Sequence, residues 1–437
     1  MKNLGSLFLL GLSQLSIVFA GLVGLKIFTN ILGPDIFGEV NLYMTFSIFM
    51  SMLIYGPLTN GLQRISAIAI SNQESFLFFK TVNNLILKIS IILFTTFFLV
   101  LLFGYFFHFQ VSFLKFLSVL IFAIVSGSAA CYVGMLNIFQ RKFEFSIIQA
   151  LIPWMRIFLS IQFLSTSSNN KLANYYFGYF FADFIILIIC IIIFYKNLKI
   201  DNGLTENGKN YNQFDYIRKL KNYVLPFVLW GVFSWVQSSS DRWAIKLFGT
   251  NKDLGNYIVL WQLGFYPITM ISSVLIQFSQ PFIYRFNNKN FFSHNEFVDF
   301  EKIFKLLIAS IILIFLLILF ISIKFHEFIL LIVPNKKFLI STNLLPIVIL
   351  SSIFISIGQV FALIFSVTLN SKKLLPYQIS MPIILLLVLL IAAYNFHLLG
   401  VVYGSLLYSF LYMTIMIVIS IKELNILRVS SKLSISS

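Results

Sequence analysis

Apolar runs long enough to cross a bilayer recur along almost the whole chain. At 1.5 Å per residue, a helix needs about 20 residues to cross a hydrocarbon core of roughly 30 Å. Twelve such runs can be marked, near residues 4–31, 38–70, 80–107, 112–139, 145–166, 172–196, 222–248, 254–283, 302–323, 339–369, 374–394 and 398–421. The last division rests only on Asn395, Phe396 and His397. Inside a bilayer, backbone N–H and C=O groups have no water to bind, so a spanning chain must form helices or a closed barrel. Runs of this length select helices. The expected fold is therefore all-α, a polytopic membrane protein of about twelve transmembrane helices. Composition agrees: 59% of residues are hydrophobic and only 11% charged, against about 25% charged in soluble domains. So few polar groups could not cover a soluble fold, and so apolar a chain would not stay disordered. The first run is too long for a removable signal peptide and leads directly into further spans, so it is expected to remain as an anchor.

Lys and Arg mark the cytoplasmic side of membrane proteins. With the N-terminus placed inside and the spans alternating, 21 of the 31 Lys and Arg residues fall on the cytoplasmic side and six on the outer side. The remaining four, Lys26, Arg156, Arg242 and Lys246, fall within spans. This asymmetry predicts that both termini are cytoplasmic. It also explains most of the net charge of +16 as topology, which removes nucleic acid as a partner. The longest polar stretch, 197–221, contains Asn202-Gly203 and Asn207-Gly208 and is flanked by basic residues. It reads as a cytoplasmic linker between an N-terminal six-helix bundle, 1–196, and a C-terminal one, 222–437.

Motifs for covalent chemistry are missing. There is no Gly-x-x-x-x-Gly-Lys-[Ser/Thr] loop for ATP phosphates. The two cysteines, Cys131 and Cys190, lie in apolar runs, and the four histidines lie near span ends without metal-ligand spacing. The expectation is a protein with no metal, no cofactor and no catalytic residues. No outer loop is long enough to form the domain that a polysaccharide polymerase would use.

Two weak internal echoes divide the spans six and six. Leu25-Lys26-Ile27-Phe28 leads to Gly33-Pro34-Asp35-Ile36-Phe37-Gly38, while Ile245-Lys246-Leu247-Phe248 leads to Lys252-Asp253-Leu254-Gly255-Asn256-Tyr257. Leu136-Asn137 precedes Arg141-Lys142, just as Leu369-Asn370 precedes Lys372-Lys373. Such repeats are frequent in transporters, where they mark the moving halves. At these residues the chain resembles the polysaccharide-unit flippases of the multidrug/oligosaccharidyl-lipid/polysaccharide exporter superfamily. The resemblance is carried by Leu32-Gly33-Pro34-Asp35-Ile36-Phe37-Gly38, by Asp241-Arg242-Trp243-Ala244-Ile245 with Asp253-Leu254-Gly255-Asn256-Tyr257, and by the turn from Leu136 to Phe143. It implies two pseudo-symmetric six-helix bundles around a central cavity lined by spans one, two, seven and eight. By the same analogy Lys26 and Lys246 would stand on facing lobes.

A charge at the bilayer centre costs roughly 2.5–3.5 kcal/mol on insertion scales, so intramembrane charges are candidate functional groups. Arg242 and Lys246 are i and i+4, on one helical face, and suit a phosphate or acidic sugar. Asp241 could orient Arg242 or carry a proton. Lys26 and Arg64 join the substrate-binding candidates, and Arg285 is an inner-gate candidate. For Arg242, Lys246 and Lys26 the competing reading is a side chain that snorkels to the headgroups. For Arg64 and Arg285 it is a headgroup anchor. Arg156 and Asp183, near the middles of spans five and six, read as a buried ion pair or as a coupling site.

The function this implies is translocation of an undecaprenyl-diphosphate-linked oligosaccharide across the bacterial inner membrane by alternating access, for O-antigen or capsule assembly. Its partners would be the lipid-linked oligosaccharide, membrane lipids and other polysaccharide-assembly membrane proteins. The drive would be an H+ or Na+ gradient, the membrane potential or consumption of product outside. The alternative in the same superfamily is a drug/cation antiporter, which would favour acidic cavity residues. Here the intramembrane charges are four basic to two acidic. A membrane polymerase is a third reading.

Overall fold

The structure, a computed structural model, describes residues 2–71, 74–107, 112–139, 141–166, 169–201, 213–283, 294–332, 338, 342–367 and 371–433. Among them the regular elements are all helical. The long helices are α1 (Lys2–Met50), α2 (Gly56–Ser71), α3 (Ser75–Phe106), α4 (Phe113–Ile138), α5 (Lys142–Thr166), α6 (Lys171–Asp201), α7 (Gln213–Phe248), α8 (Asn251–Ile283), α9 (His294–Ile332), α10 (Leu344–Val367) and α11 (Leu375–Leu433). A π-helical stretch, Ser51–Tyr55, joins α1 to α2.

Nine of the described segments are long and apolar enough to span a membrane. Two of them, Gly11–Ile70 with 60 residues and Leu375–Arg428 with 54, are each longer than two bilayer cores at 1.5 Å per residue. Each is broken where the backbone leaves helical geometry. In α1 the break is Gly33, at φ 73° and ψ 170°. This region is essentially closed to residues with a Cβ, and the following Pro34 keeps Gly33 out of the helical region. In α11 the break is His397, at φ 49° and ψ −128°, and its Nδ1 lies 2.5 Å from the Phe248 carbonyl oxygen. α7 has 36 residues but falls outside the nine. Its first turns carry Asp215, Arg218, Lys219 and Lys221, and its middle is Gln237-Ser238-Ser239-Ser240-Asp241-Arg242. Splitting the two long runs and adding α7 gives the twelve crossings expected from the sequence. The polar middle of α7 is thus the departure from lipid-like composition, and it coincides with the candidate site.

The helices form two compact units: Met1–Ile27 with Glu39–Trp235, and Phe28–Gly38 with Val236–Ser437. In the first, α4 is the central helix. Leu120, Cys131, Met135 and Leu136 on it are fully buried. Without water, membrane helices associate through close packing, which small residues permit. The run Ser126-Gly127-Ser128-Ala129-Ala130-Cys131 supplies them. A Cβ on Gly127 would stand 2.1 Å from the ring of Tyr55. The first two-thirds of α7 belong to this unit as well. Trp235 Nε1 donates to the Thr45 carbonyl at 2.8 Å, and a Cβ on Gly231 would lie 2.1 Å from the Met52 carbonyl oxygen.

In the second unit α10 packs between α8 and α11, and Ser352 Oγ reaches the Gly264 carbonyl at 3.3 Å. The segment Phe28–Gly38 is docked onto the start of α8. A Cβ on Gly38 would stand 2.1 Å from the Asn251 carbonyl oxygen, and one on Gly255 2.1 Å from the Pro34 carbonyl oxygen. The two stretches that echo each other in the sequence are therefore in backbone contact, which only glycine at both positions allows. Outward faces remain apolar: Leu99 on α3 is 63% exposed and Leu313 on α9 69%. Exposed apolar surface on this scale is a lipid-facing surface.

Candidate functional site

Arg242 sits six residues before the end of α7 and is 5% exposed. Its Nε is buried with no hydrogen-bond partner, and its Cζ lies 4.9 Å from the centroid of the Trp261 ring on α8. The neighbouring Asp241 is also buried, yet its oxygens are engaged by neutral donors. Oδ1 accepts the Arg242 backbone N–H at 2.7 Å, and Oδ2 accepts the Tyr257 hydroxyl at 2.8 Å. The buried cation thus keeps an unsatisfied donor beside an aromatic face. Burying a cationic donor without a hydrogen-bond partner is costly.

Trp261 was not legible as a site residue, because aromatic stripes in so Phe-rich a chain carry no functional weight by themselves. The available signal was spacing. Tyr257, Trp261 and Phe265 recur at i, i+4 and i+8 on one face of α8. Trp261 and Phe265 stack with centroids 5.4 Å apart at 15°.

The other candidates have different environments. Lys246 is exposed, and its Nζ donates to Asn251 Oδ1 at 2.7 Å, across the turn into α8. It does not share the burial of Arg242. Lys26 is exposed on α1 and belongs to the first unit. Arg64 is exposed on α2, with Cζ 5.2 Å from the centroid of the Tyr223 ring. Arg285 lies outside the described residues, as do Asn202-Gly203 and Asn207-Gly208 of the linker.

Arg156 and Asp183 meet. Arg156 Nε donates to Asp183 Oδ1 at 2.9 Å and its Nη2 to Oδ2 at 2.7 Å, a bidentate pair between α5 and α6. Nη2 also donates to Ser126 Oγ on α4 at 3.1 Å. The guanidinium lies near the rings of Phe122 and Tyr179, 5.5 and 5.4 Å from their centroids. This cation has a carboxylate partner within the first unit, unlike Arg242. Other buried carboxylates are also matched: Glu423 by Lys373 at 2.7 Å, and Glu74 by the Tyr216 hydroxyl. Among the described residues no group of His, Cys, Asp and Glu could hold a metal ion.

This architecture is that of a polytopic helical membrane protein. An inward-facing multidrug resistance MATE transporter of the MOP superfamily is similar over 96% of both chains, with a TM-score of 0.73 and 12% identity. The lipid II flippase MurJ in an inward closed conformation is similar over 98% of this chain and 91% of its own, with a TM-score of 0.67 and 14% identity. A MOP superfamily transporter from Pyrococcus furiosus, whose binding pocket is described as reversed in polarity, is similar over 95% of this chain and 96% of its own, with a TM-score of 0.60 and 12% identity. At such identities the likeness is one of fold. The search of curated proteins finds no significant match. The sequence profile described as "Polysaccharide biosynthesis protein" matches residues 4–286. The chain belongs to that family and is an integral, multi-pass membrane protein.

Proposed function

We propose that the protein carries an undecaprenyl-diphosphate-linked oligosaccharide from the cytoplasmic to the outer leaflet of the bacterial inner membrane, for assembly of O-antigen or capsule. The observation that carries this reading is the buried Arg242 with its unsatisfied Nε, in a chain of the polysaccharide biosynthesis family. A diphosphate is the dianion such a site would bind, because charge-assisted hydrogen bonds are roughly twice as strong as neutral ones and an Arg can offer two parallel donors. The prenyl tail stays in lipid while the headgroup enters the site. Two lobes then alternate in access. No covalent step and no cofactor is needed. The drive is an H+ or Na+ gradient, the membrane potential or removal of product outside. The basic majority among the intramembrane charges argues against a site for cationic drugs.

The test is deletion of the gene followed by analysis of lipid-linked oligosaccharide. Accumulation in the cytoplasmic leaflet with loss of surface glycan is expected. Unchanged glycan with altered drug tolerance would replace flipping by antiport. The same reading places both termini in the cytoplasm. Reporter fusions at Gly203 and Ser437 should both report the inside, and an outer signal at either would overturn that orientation.

A further inference from the structure

We infer that Trp261 is a positioning residue for the anion site, whose indole face sets the plane of the Arg242 guanidinium so that its edge meets the diphosphate. This rests on the reading of Arg242 as the headgroup-binding cation.

A guanidinium has two kinds of surface. Its faces stack on aromatic rings, and its edge carries the N–H donors. Stacking and phosphate binding therefore act together, one through the face and one through the edge. The Trp261 centroid is 4.9 Å from Arg242 Cζ, within the range of cation–π attraction. The indole is itself stacked on Phe265 at 5.4 Å and 15°, so it does not offer Arg242 a loose support.

One turn earlier on α8, Tyr257 donates to Asp241 at 2.8 Å. Two successive residues of α7 are thus tied to two residues of one α8 face, Asp241 to Tyr257 and Arg242 to Trp261. The Tyr257 bond has a second consequence. With one oxygen on Tyr257 and the other on the Arg242 backbone N–H, the Asp241 carboxylate is held by neutral donors rather than by the guanidinium. The positive charge is left for an arriving anion. Arg otherwise has many rotamers, and ordering them on binding costs affinity. Trp261 removes that cost in advance.

The full-length protein in lipid nanodiscs, titrated with farnesyl diphosphate as the probe, tests this. Trp261→Leu should weaken binding about tenfold, the scale of a desolvated cation–π contact, while Trp261→Phe should keep most of the affinity. In an Arg242→Lys background, where there is no planar group to orient, Trp261→Leu should add less than about threefold. That coupling separates positioning from a general packing role, which would give equal losses in both backgrounds. Thermal melts check each variant, and Trp261→Phe keeps the comparison if the Leu variant is unstable. Wild-type affinity in Trp261→Leu, or equal losses in the two backgrounds, would overturn the positioning role. Wild-type affinity in Arg242→Ala would instead overturn the headgroup site itself. Loss in Arg242→Ala with Trp261→Leu intact leaves that site standing and removes only the part assigned to Trp261.

Discussion

Arg242→Ala is expected to abolish surface glycan export while the protein accumulates at or near the wild-type level. The two halves of this expectation have one cause. The Arg242 Nε has no hydrogen-bond partner inside a site that leaves only 5% of the residue exposed. Removing a buried cation whose Nε is unsatisfied gives back part of its desolvation cost. What is lost is the stacking on Trp261, which is about 2 kcal/mol or less for a cation over an aromatic ring. Stability should therefore change little, whereas the anion loses its strongest donor. Arg242→Lys should keep part of the export, because the charge remains but the planar fork does not. Lys246→Ala and Lys26→Ala should be milder, since both side chains are exposed. Quantitative blots and surface glycan staining read both effects. Normal export in Arg242→Ala at normal protein level would remove this residue from the site.

The second large effect has the opposite form. Arg156→Met or Asp183→Asn is expected to lower protein level sharply. Asp183 is 2% exposed at its side chain and bound through both oxygens to Arg156. Removing one partner strands the other in a low-dielectric interior, which costs about 3–5 kcal/mol. Replacing both by apolar residues of similar size, Arg156→Met with Asp183→Leu, should recover protein, because no charge is then left stranded. The charge swap should recover some as well. Membrane-fraction blots after identical induction measure this. Asp183→Asn at full protein level with export abolished would assign the pair to ion coupling instead of structure. Two arginines of one chain, on α5 and α7, are thus predicted to fail in different ways. One is embedded among partners from α4 and α6, and the other has an unsatisfied donor.

Much of the fold was legible in the residues. Helices and their number follow from bilayer thickness and from the exclusion of water, which leave an apolar run of this length no other conformation. The break at Gly33 was legible too, since Gly followed by Pro is a local backbone instruction. The break at His397 was visible only as a weak division, and its position at one residue was settled by packing against Phe248. The polar middle of α7 was not legible: 222–248 reads as one more apolar run, in which only Asp241, Arg242 and Lys246 stand out.

The sequence by itself determined the class of fold, the spacing of the crossings and the short set of charges that a membrane would not tolerate without a reason. All of these depend on local composition and on a solvent whose thickness is known in advance. Tertiary structure decided what each of those charges does. Arg156, Lys246 and Arg242 are alike as single cations within apolar runs. Only the arrival of Asp183, Asn251 or Trp261 from another helix, or from across a turn, distinguishes a bidentate pair, an exposed tether and a buried cation with an unsatisfied donor. Those partners are set by which helix faces meet, and in a Phe-rich membrane protein that depends on close packing at small residues such as Gly38 and Gly255. Hydrophobicity, which is nearly uniform along the spans, does not encode it.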